Sequence, residues 1–362
     1  MNSPKTILIC PLNWGLGHAS RDIPIIRRLI CEGFRIIVAA DYPIIKLIKS
    51  EFPDIETEYF PGLQITYSSK NSQVTHLLKQ LPSAFKWVSR EKKHTALLVK
   101  KYNPVCIISD NRYGVRHPKI KSIFITHQLM LKMPKKLAWL EKPAHQLIKK
   151  LISRFDSCWI PDNPLHDSLA GDLVHKYPFP DNARLIGSLS RFMHQYDDIK
   201  DNDNEYDLLI ILSGLEPQRT ILQKILTEKV IAEDIKTLMI TGVLNNETTE
   251  TEKIKGNLKI LPHLKSKELY QLIKKTPYII SRSGYSTIMD LWFLNRNAVL
   301  IPTPGQTEQE YLAQIAENSN HVFIRQSEIQ KINLREISLK NNGFITQKND
   351  LFDEAIKTII NI

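Results

Sequence analysis

The chain opens on a short unbroken apolar run, residues 6–12, followed by a glycine-rich turn from Asn13 to His18. Ile23, Ile26, Arg27, Ile30 and Phe34 then recur at helical spacing, and residues 36–40 form a second apolar run. Strand, turn, helix and strand in that order predict a βαβ unit with a parallel sheet. Residues 105–108 and 123–125 read as further buried strands, with 158–160 and 184–187 as weaker ones. Two basic helices fit 76–101 and 137–153. In the first, Leu77, Leu81, Phe85 and Val88 recur every three or four residues; in the second, Leu140, Ala144, Leu147 and Leu151 do so. A polar, acidic stretch at 195–206 interrupts the pattern, which then restarts. Strands are predicted at 208–212, 238–241, 258–261, 278–280 and 299–301, and helices at 217–229, 266–275, 286–294 and 307–318. Leu351, Ala355, Ile356, Ile359 and Ile360 mark a last amphipathic helix.

The pattern predicts an α/β chain of two Rossmann-like domains whose parallel sheets face across a cleft. The first domain spans 1–194, the linker 195–206 and the second domain 207–349, with helix 350–362 packing back onto the first. Strand C-termini and helix N-termini from both sides converge on such a cleft, the usual place for a ligand.

A length of 362 residues agrees with two domains, and 42% apolar with 24% charged residues is ordinary for a globular chain. No apolar run reaches the roughly 18 residues that span a bilayer, and the N-terminus lacks a secretory pattern, so a cytoplasmic place is expected. Cys10, Cys31, Cys106 and Cys158 form no CxxC pair and read as buried reduced thiols. Charge is more informative because it is uneven. Residues 70–154 hold 19 Lys and Arg against Glu91, Asp110 and Glu141, a local +16 that leaves −5 for the rest of a chain with net charge +11. Such a segment suits an anionic partner. Within it, Met130 to Trp139 interleaves apolar and cationic side chains, which fits a peripheral position on the inner face of the cell membrane or a lipid-linked acceptor. Nucleic acid is not expected, since no recognised binding module accompanies the charge.

Three strand–turn–helix junctions carry candidate chemistry. Gly15-Leu16-Gly17-His18 lets backbone amides approach an anion at a helix start. Ser20-Arg21 stand where a dinucleotide fingerprint needs its third glycine, which disfavours NAD. A histidine at this turn suits a general base near neutral pH, which makes His18 the candidate. The second junction, Ile280 to Asp290, could hold a diphosphate on free amides, with Asp290 placed one turn on to accept from ribose hydroxyls. The third, Ile301 to Glu310, offers Gln309 and Glu310 to the hydroxyls of a hexose. Asp201-Asn202-Asp203 resembles a cation-binding string but reads as a solvated loop; no metal and no cofactor are expected.

Taken together, these junctions resemble glycosyltransferase family 28, and most closely its MurG-like enzymes. The likeness is strongest over 279–313 and at "WGLGHASR", with Gly187 to Arg191 and Leu212-Ser213-Gly214 as further anchors. The resemblance implies two facing Rossmann-like domains of the GT-B type and transfer of a sugar, with inversion, from a nucleotide diphosphate donor. It implies His18 as base and Gly15 and Gly17 as shapers of the acceptor side. It places Arg191, Ser213, Gly214, Ser283, Gly284 and Tyr285 near the donor diphosphate, Asp290 on ribose, Gln309 and Glu310 on the sugar, and His263 and Leu264 near the base. Asp110, Arg112 and His127 are further acceptor-side candidates. The chain carries Asp290 where these enzymes usually have Glu, and Glu310 where they usually have Gln, departures that bear on the donor sugar; their His-Glu-x-x-Asn segment is only faintly echoed by Thr126-His127-Gln128, so the peptidoglycan reaction itself is not expected. The function expected is transfer of a hexosyl or N-acetylhexosaminyl group, UDP-linked, to an anionic or lipid-linked acceptor. A sugar-nucleotide epimerase of the same build, and a non-catalytic binder of nucleotide sugar or anionic lipid, are the alternatives.

Overall fold

The computed structural model describes residues 4–62, 73–194, 205–244, 253–339 and 349–361, without the side chains of 73–85 and Lys253. The expected linker 195–206 and the string Asp201-Asn202-Asp203 therefore lie almost wholly outside the described residues, as do the side chains of Leu77, Leu81 and Phe85.

The first lobe carries seven strands: β1 (Thr6–Pro11), β2 (Arg35–Ala40), β3 (Glu56–Tyr59), β4 (Cys106–Asp110), β5 (Lys121–Ile125), β6 (Ser157–Ile160) and β7 (Ala183–Leu185). All pair in parallel, in the order β3-β2-β1-β4-β5-β6-β7. The connecting helices are α1 (Gly17–Cys31), α2 (Tyr42–Glu51), α3 (Gln73–Tyr102), α4 (Glu141–Ile152) and α5 (Asp172–His175). The apolar strands are unbroken because both faces are covered. Ile7, Ile9, Val38 and Ile108 enter one core, and Leu8, Cys10, Ile37, Ala39 and Ile107 enter another on the opposite side.

The second lobe repeats the plan with β8 (Leu208–Ile211), β9 (Thr237–Ile240), β10 (Lys253–Lys255), β11 (Leu258–Leu261), β12 (Tyr278–Ser281), β13 (Val299–Leu300) and β14 (Val322–Phe323). Their order is β10-β11-β9-β8-β12-β13-β14, with only β10 antiparallel. Its helices are α6 (Gln218–Ala232), α7 (Ser266–Lys275), α8 (Tyr285–Phe293) and α9 (Thr307–Ala316). The last helix, α10 (Asp350–Ile360), lies against the first lobe: Arg28 pairs with Asp353 at 2.5 Å, and Lys121 donates to the Thr358 carbonyl at 2.9 Å. The GT-B arrangement of two facing Rossmann-like lobes is thus the fold of the chain.

Three local readings are corrected. Helix 137–153 is two pieces, a 3-10 segment at Lys135–Leu140 and then α4. Its buried face is Glu141, His145, Ile148 and Ile152, one residue round from the apolar stripe, so Leu147 is 48% exposed. The buried polar members are satisfied: Glu141 accepts from Lys176 and the Met133 amide, and His145 meets the Leu129 carbonyl. Cys31 is exposed, whereas Cys10, Cys106 and Cys158 are buried thiols, as expected. The pattern also omits α2, α5, β3, β10 and β14. Of these strands β3 reads Glu-Thr-Glu-Tyr, and β10 and β14 are edge strands of three and two residues, too polar or too short to carry a periodic signal.

Candidate active site

In each sheet the strand order reverses at one point, between β1 and β4 in the first lobe and between β8 and β12 in the second. Loops leaving neighbouring strands there diverge to opposite faces and open a crevice at the carboxyl ends. The first lobe puts His18 and Asp110 at its crevice. Asp110 ends β4 opposite Pro11, the end of β1, and Gly15 (φ +91°) turns the chain so that α1 begins at Gly17.

His18 Nδ1 lies 3.1 Å from Asp110 Oδ1, and the imidazole keeps 12% of its surface exposed. Asp110 is fully buried. Burial alone would raise its pKa, but the Arg21 guanidinium and His18 outweigh that and hold the carboxyl at about 2. Arg21 clasps it through Nε to Oδ2 at 2.9 Å and Nη2 to Oδ1. Arg21 Nη1 reaches His127 Nδ1 at 2.9 Å, and Nη2 stands 2.8 Å from His18 Nδ1.

The second lobe puts Ser213 and Gly214 after β8, and Arg282, Ser283 and Gly284 after β12. Gly214 (φ +100°) stands opposite Gly15, whose missing side chain would meet the Gly214 Cα at 4.0 Å; the space beside Gly214 itself is open. Helix α8 starts at Gly284 with no side-chain cap hydrogen bond, and a helix N-terminus favours an anion. The two helix starts touch: Ser286 donates to the Gly17 carbonyl at 2.8 Å. A second cluster brings together Arg191, Asp290 and His263. Arg191 Nε faces Asp290 Oδ2 at 3.3 Å; burial, with the Arg191 charge, pushes His263 down to about 4 and so keeps it neutral.

Comparison with known proteins agrees with this build. Residues 208–351 match the family described as glycosyltransferase family 28 C-terminal domain. An uncharacterized glycosyltransferase of Methanosarcina acetivorans is 22% identical over 330 residues, covering 87% of this chain and 83% of the relative. Among solved structures, Arabidopsis thaliana UGT89C1 complexed with quercetin superposes with a TM-score of 0.58 at 12% identity, over 99% of this chain and 100% of that one. LpCGTa in complex with UDP gives 0.55 at 12%, over 91% and 89%. The second lobe is thus similar to the family 28 C-terminal domain over most of its length. The matches as a whole support glycosyl transfer as the activity.

Within the second lobe, several residues expected at the donor also hold hydrogen bonds within the frame. Ser283 is fully buried and donates to the Gln309 carbonyl at 2.8 Å. Gln309 Oε1 accepts from the Thr303 amide and Glu310 Oε1 from the Gly305 amide, so both brace the 302–306 loop. Tyr285 is buried and pins the lobes, donating to Asp162 at 2.9 Å and the Pro161 carbonyl at 2.8 Å. Asp290, with 9% of its side chain exposed, takes Ser190 Oγ at 2.6 Å and the Arg191 amide at 3.3 Å on Oδ1, so ribose could reach only Oδ2. On the acceptor side, Arg112 is a buried strut held by Glu91 and the carbonyls of Phe60 and Pro61. Leu264 is half-buried beside His263.

Arg21, Asp22, Arg282 and Glu308 are functional or near-site groups that sequence reasoning missed. Arg21 was visible only as a departure from the dinucleotide pattern. Arg282 is buried and ties the β12 turn to the carbonyls of Ile301, Pro302 and Gln218. A cavity of about 440 Å³, lined by Arg116, His117, Lys119, Lys121, Arg154 and Asp156, opens before β5 and β6, at the opposite strand ends from His18. Among the described residues no His, Cys, Asp and Glu group could hold a metal ion.

Proposed function

We propose that the protein is an inverting, metal-independent glycosyltransferase that moves a hexosyl or N-acetylhexosaminyl group from a UDP-linked donor to an anionic or lipid-linked acceptor. The observation that carries the reading is His18 at the first lobe's crevice with Nδ1 on a buried, ionised Asp110. A ring that keeps its proton on Nδ1 and donates it in a hydrogen bond to Asp110 exposes the Nε2 lone pair. The acceptor hydroxyl attacks the anomeric carbon, its proton passes to Nε2, and the bond from that carbon to the diphosphate oxygen breaks. Charge then grows on the leaving diphosphate. The uncapped amides of Gly284 to Ser286 and the Arg191 guanidinium would meet it, and backbone can approach closely at Gly214. Two structural neighbours support the donor class: LpCGTa was solved with UDP and UGT89C1 with UDP-L-rhamnose. Asp290 Oδ2 is the group proposed for ribose.

A lipid-linked acceptor is supported by the surface around α4. Trp139 is 71% and Leu147 48% exposed, among exposed Lys135, Lys136, Lys142 and Lys150.

The test is a panel of nucleotide sugars, with and without lipid extract and with chelator present. Transfer should persist in chelator. His18→Ala should lower turnover about 10²–10⁴-fold while UDP binding holds. Wild-type turnover in that variant removes His18 from the mechanism; interconversion of the donor without acceptor would favour the epimerase instead.

A further inference from the structure

An unbroken chain of hydrogen bonds joins the second lobe to His18. It starts at Glu308 in the first turn of α9, whose Oε1 lies 2.9 Å from His127 Nε2. His127 Nδ1 is the partner of Arg21 Nη1 at 2.9 Å. A guanidinium has donors and no acceptor, so Nδ1 must accept. The proton of the neutral ring is then on Nε2, which donates to Glu308. Burial pushes the His127 pKa down; Glu308 opposes this, while the Arg21 charge adds to it, and the ring stays neutral. Tyr285 stacks on the ring, with centroids 4.2 Å apart and planes 6° from parallel, and its own hydroxyl is fixed on Asp162. The ring is therefore oriented by three groups, Arg21, Glu308 and Tyr285, the last two from the second lobe.

The other end of the chain is a competition. His18 Nδ1 faces Asp110 Oδ1 at 3.1 Å, which can only accept, and Arg21 Nη2 at 2.8 Å, which can only donate. A proton on Nδ1 leaves Nε2 as a base; a proton on Nε2 removes it. The alignment of Arg21 with Asp110 decides between them.

We propose that Glu308 and His127 are positioning residues: docking of Glu308 on His127 fixes Arg21 against Asp110 and selects the His18 tautomer with a free Nε2, so the base is ready only in the closed enzyme. This rests on the reading of His18 as the base. Both groups act through Arg21 and need not touch substrate.

The experiment is a cycle of Glu308→Ala, His127→Phe and the double variant, with Glu308→Gln and His18→Ala alongside, in the full chain. Each single variant should lower kcat about 10²-fold, the scale on which misplaced catalytic groups act. Donor KM and UDP binding should hold, which also shows that the variants fold. The double variant should lose no more than a single one, because both break the same chain. Glu308→Gln keeps an acceptor oxygen and should restore most of kcat. Additive losses, unchanged kcat, or a loss expressed in donor KM would overturn the coupling; the last would place Glu308 on the donor itself. If His18→Ala is inactive while these variants are normal, the coupling alone fails. If His18→Ala remains active, the base reading fails.

Discussion

Asp22 and Asp110 are both fully buried, yet the fold pushes their pKa values in opposite directions. Asp110 is kept ionised, at about 2, by Arg21 and His18. Asp22, the residue after Arg21, has no hydrogen-bond partner among the described residues on either oxygen; burial pushes its pKa well up, with the Asp110 charge adding to the rise. The linkage signs are opposite. A depressed carboxyl adds stability that is present above the unfolded pKa and lost as pH falls toward about 2. A raised one adds stability at low pH that is lost as pH climbs above the unfolded value near 3.9, by up to about 1.4 kcal/mol per pH unit. Asp22→Asn should therefore gain melting temperature relative to wild type as pH rises from about 5 to 8. A difference that stays constant with pH would contradict the neutral Asp22. Asp110→Asn keeps the shape but offers a donor to His18 Nδ1. Its kcat should fall about 10²-fold or more, with UDP affinity retained; equal kcat would contradict the orienting role.

At the level of elements, α10 depends on a glycine far from it in sequence. Gly187 has φ +70°, and Asn349 lies where its side chain would be. Asn349 caps α10 by accepting from the Phe352 amide at 3.0 Å, and it donates to the Ser188 carbonyl at 2.9 Å. Phe352, Ala355, Ile356 and Ile359 then bury one face of the helix. Gly187→Ala adds left-handed strain and evicts the cap, together about 2 kcal/mol of destabilisation. Denaturant unfolding should show it, and proteolysis should begin near α10; an unchanged midpoint would mean that the cap carries no weight. The same scale explains the misread α4: Glu141 and His145 are buried because Lys176, Met133 and Leu129 satisfy them, so polarity did not mark the outer face.

Across the whole molecule, the lobes share one apolar core and several polar pins. Thr307 donates to the Lys132 carbonyl, and Tyr311 accepts from the Asp172 amide, both at 2.6 Å; Lys132 also lies over the Tyr311 ring at 4.4 Å. These contacts put α9 of the second lobe beside the basic segment of the first. Charge and exposed Trp139 on that segment predict recovery of the protein with anionic vesicles but not neutral ones, falling as salt rises, each lipid-facing cation adding about 1 kcal/mol. Trp139→Ala with Leu147→Ala should weaken recovery at every salt concentration. Equal recovery on both vesicle types would end the membrane reading. Among the described residues no helix is long and apolar enough to cross a bilayer.

The sequence by itself determined the alternation of buried strands and helices, and with it two parallel sheets, because a strand covered on both faces must be apolar throughout. It also placed His18, the two glycine turns and the α8 start at strand ends, since turn chemistry is local. Only the tertiary structure decided that Asp110, 92 residues away, is the partner of His18, and that Arg21, His127 and Glu308 complete a line between lobes. It likewise turned Ser283, Tyr285, Gln309 and Arg112 from expected ligand contacts into braces. A side chain's periodicity shows whether it is inside, but its hydrogen-bond partner comes from whichever segment the topology sets beside it, and that pairing leaves no mark on the local pattern.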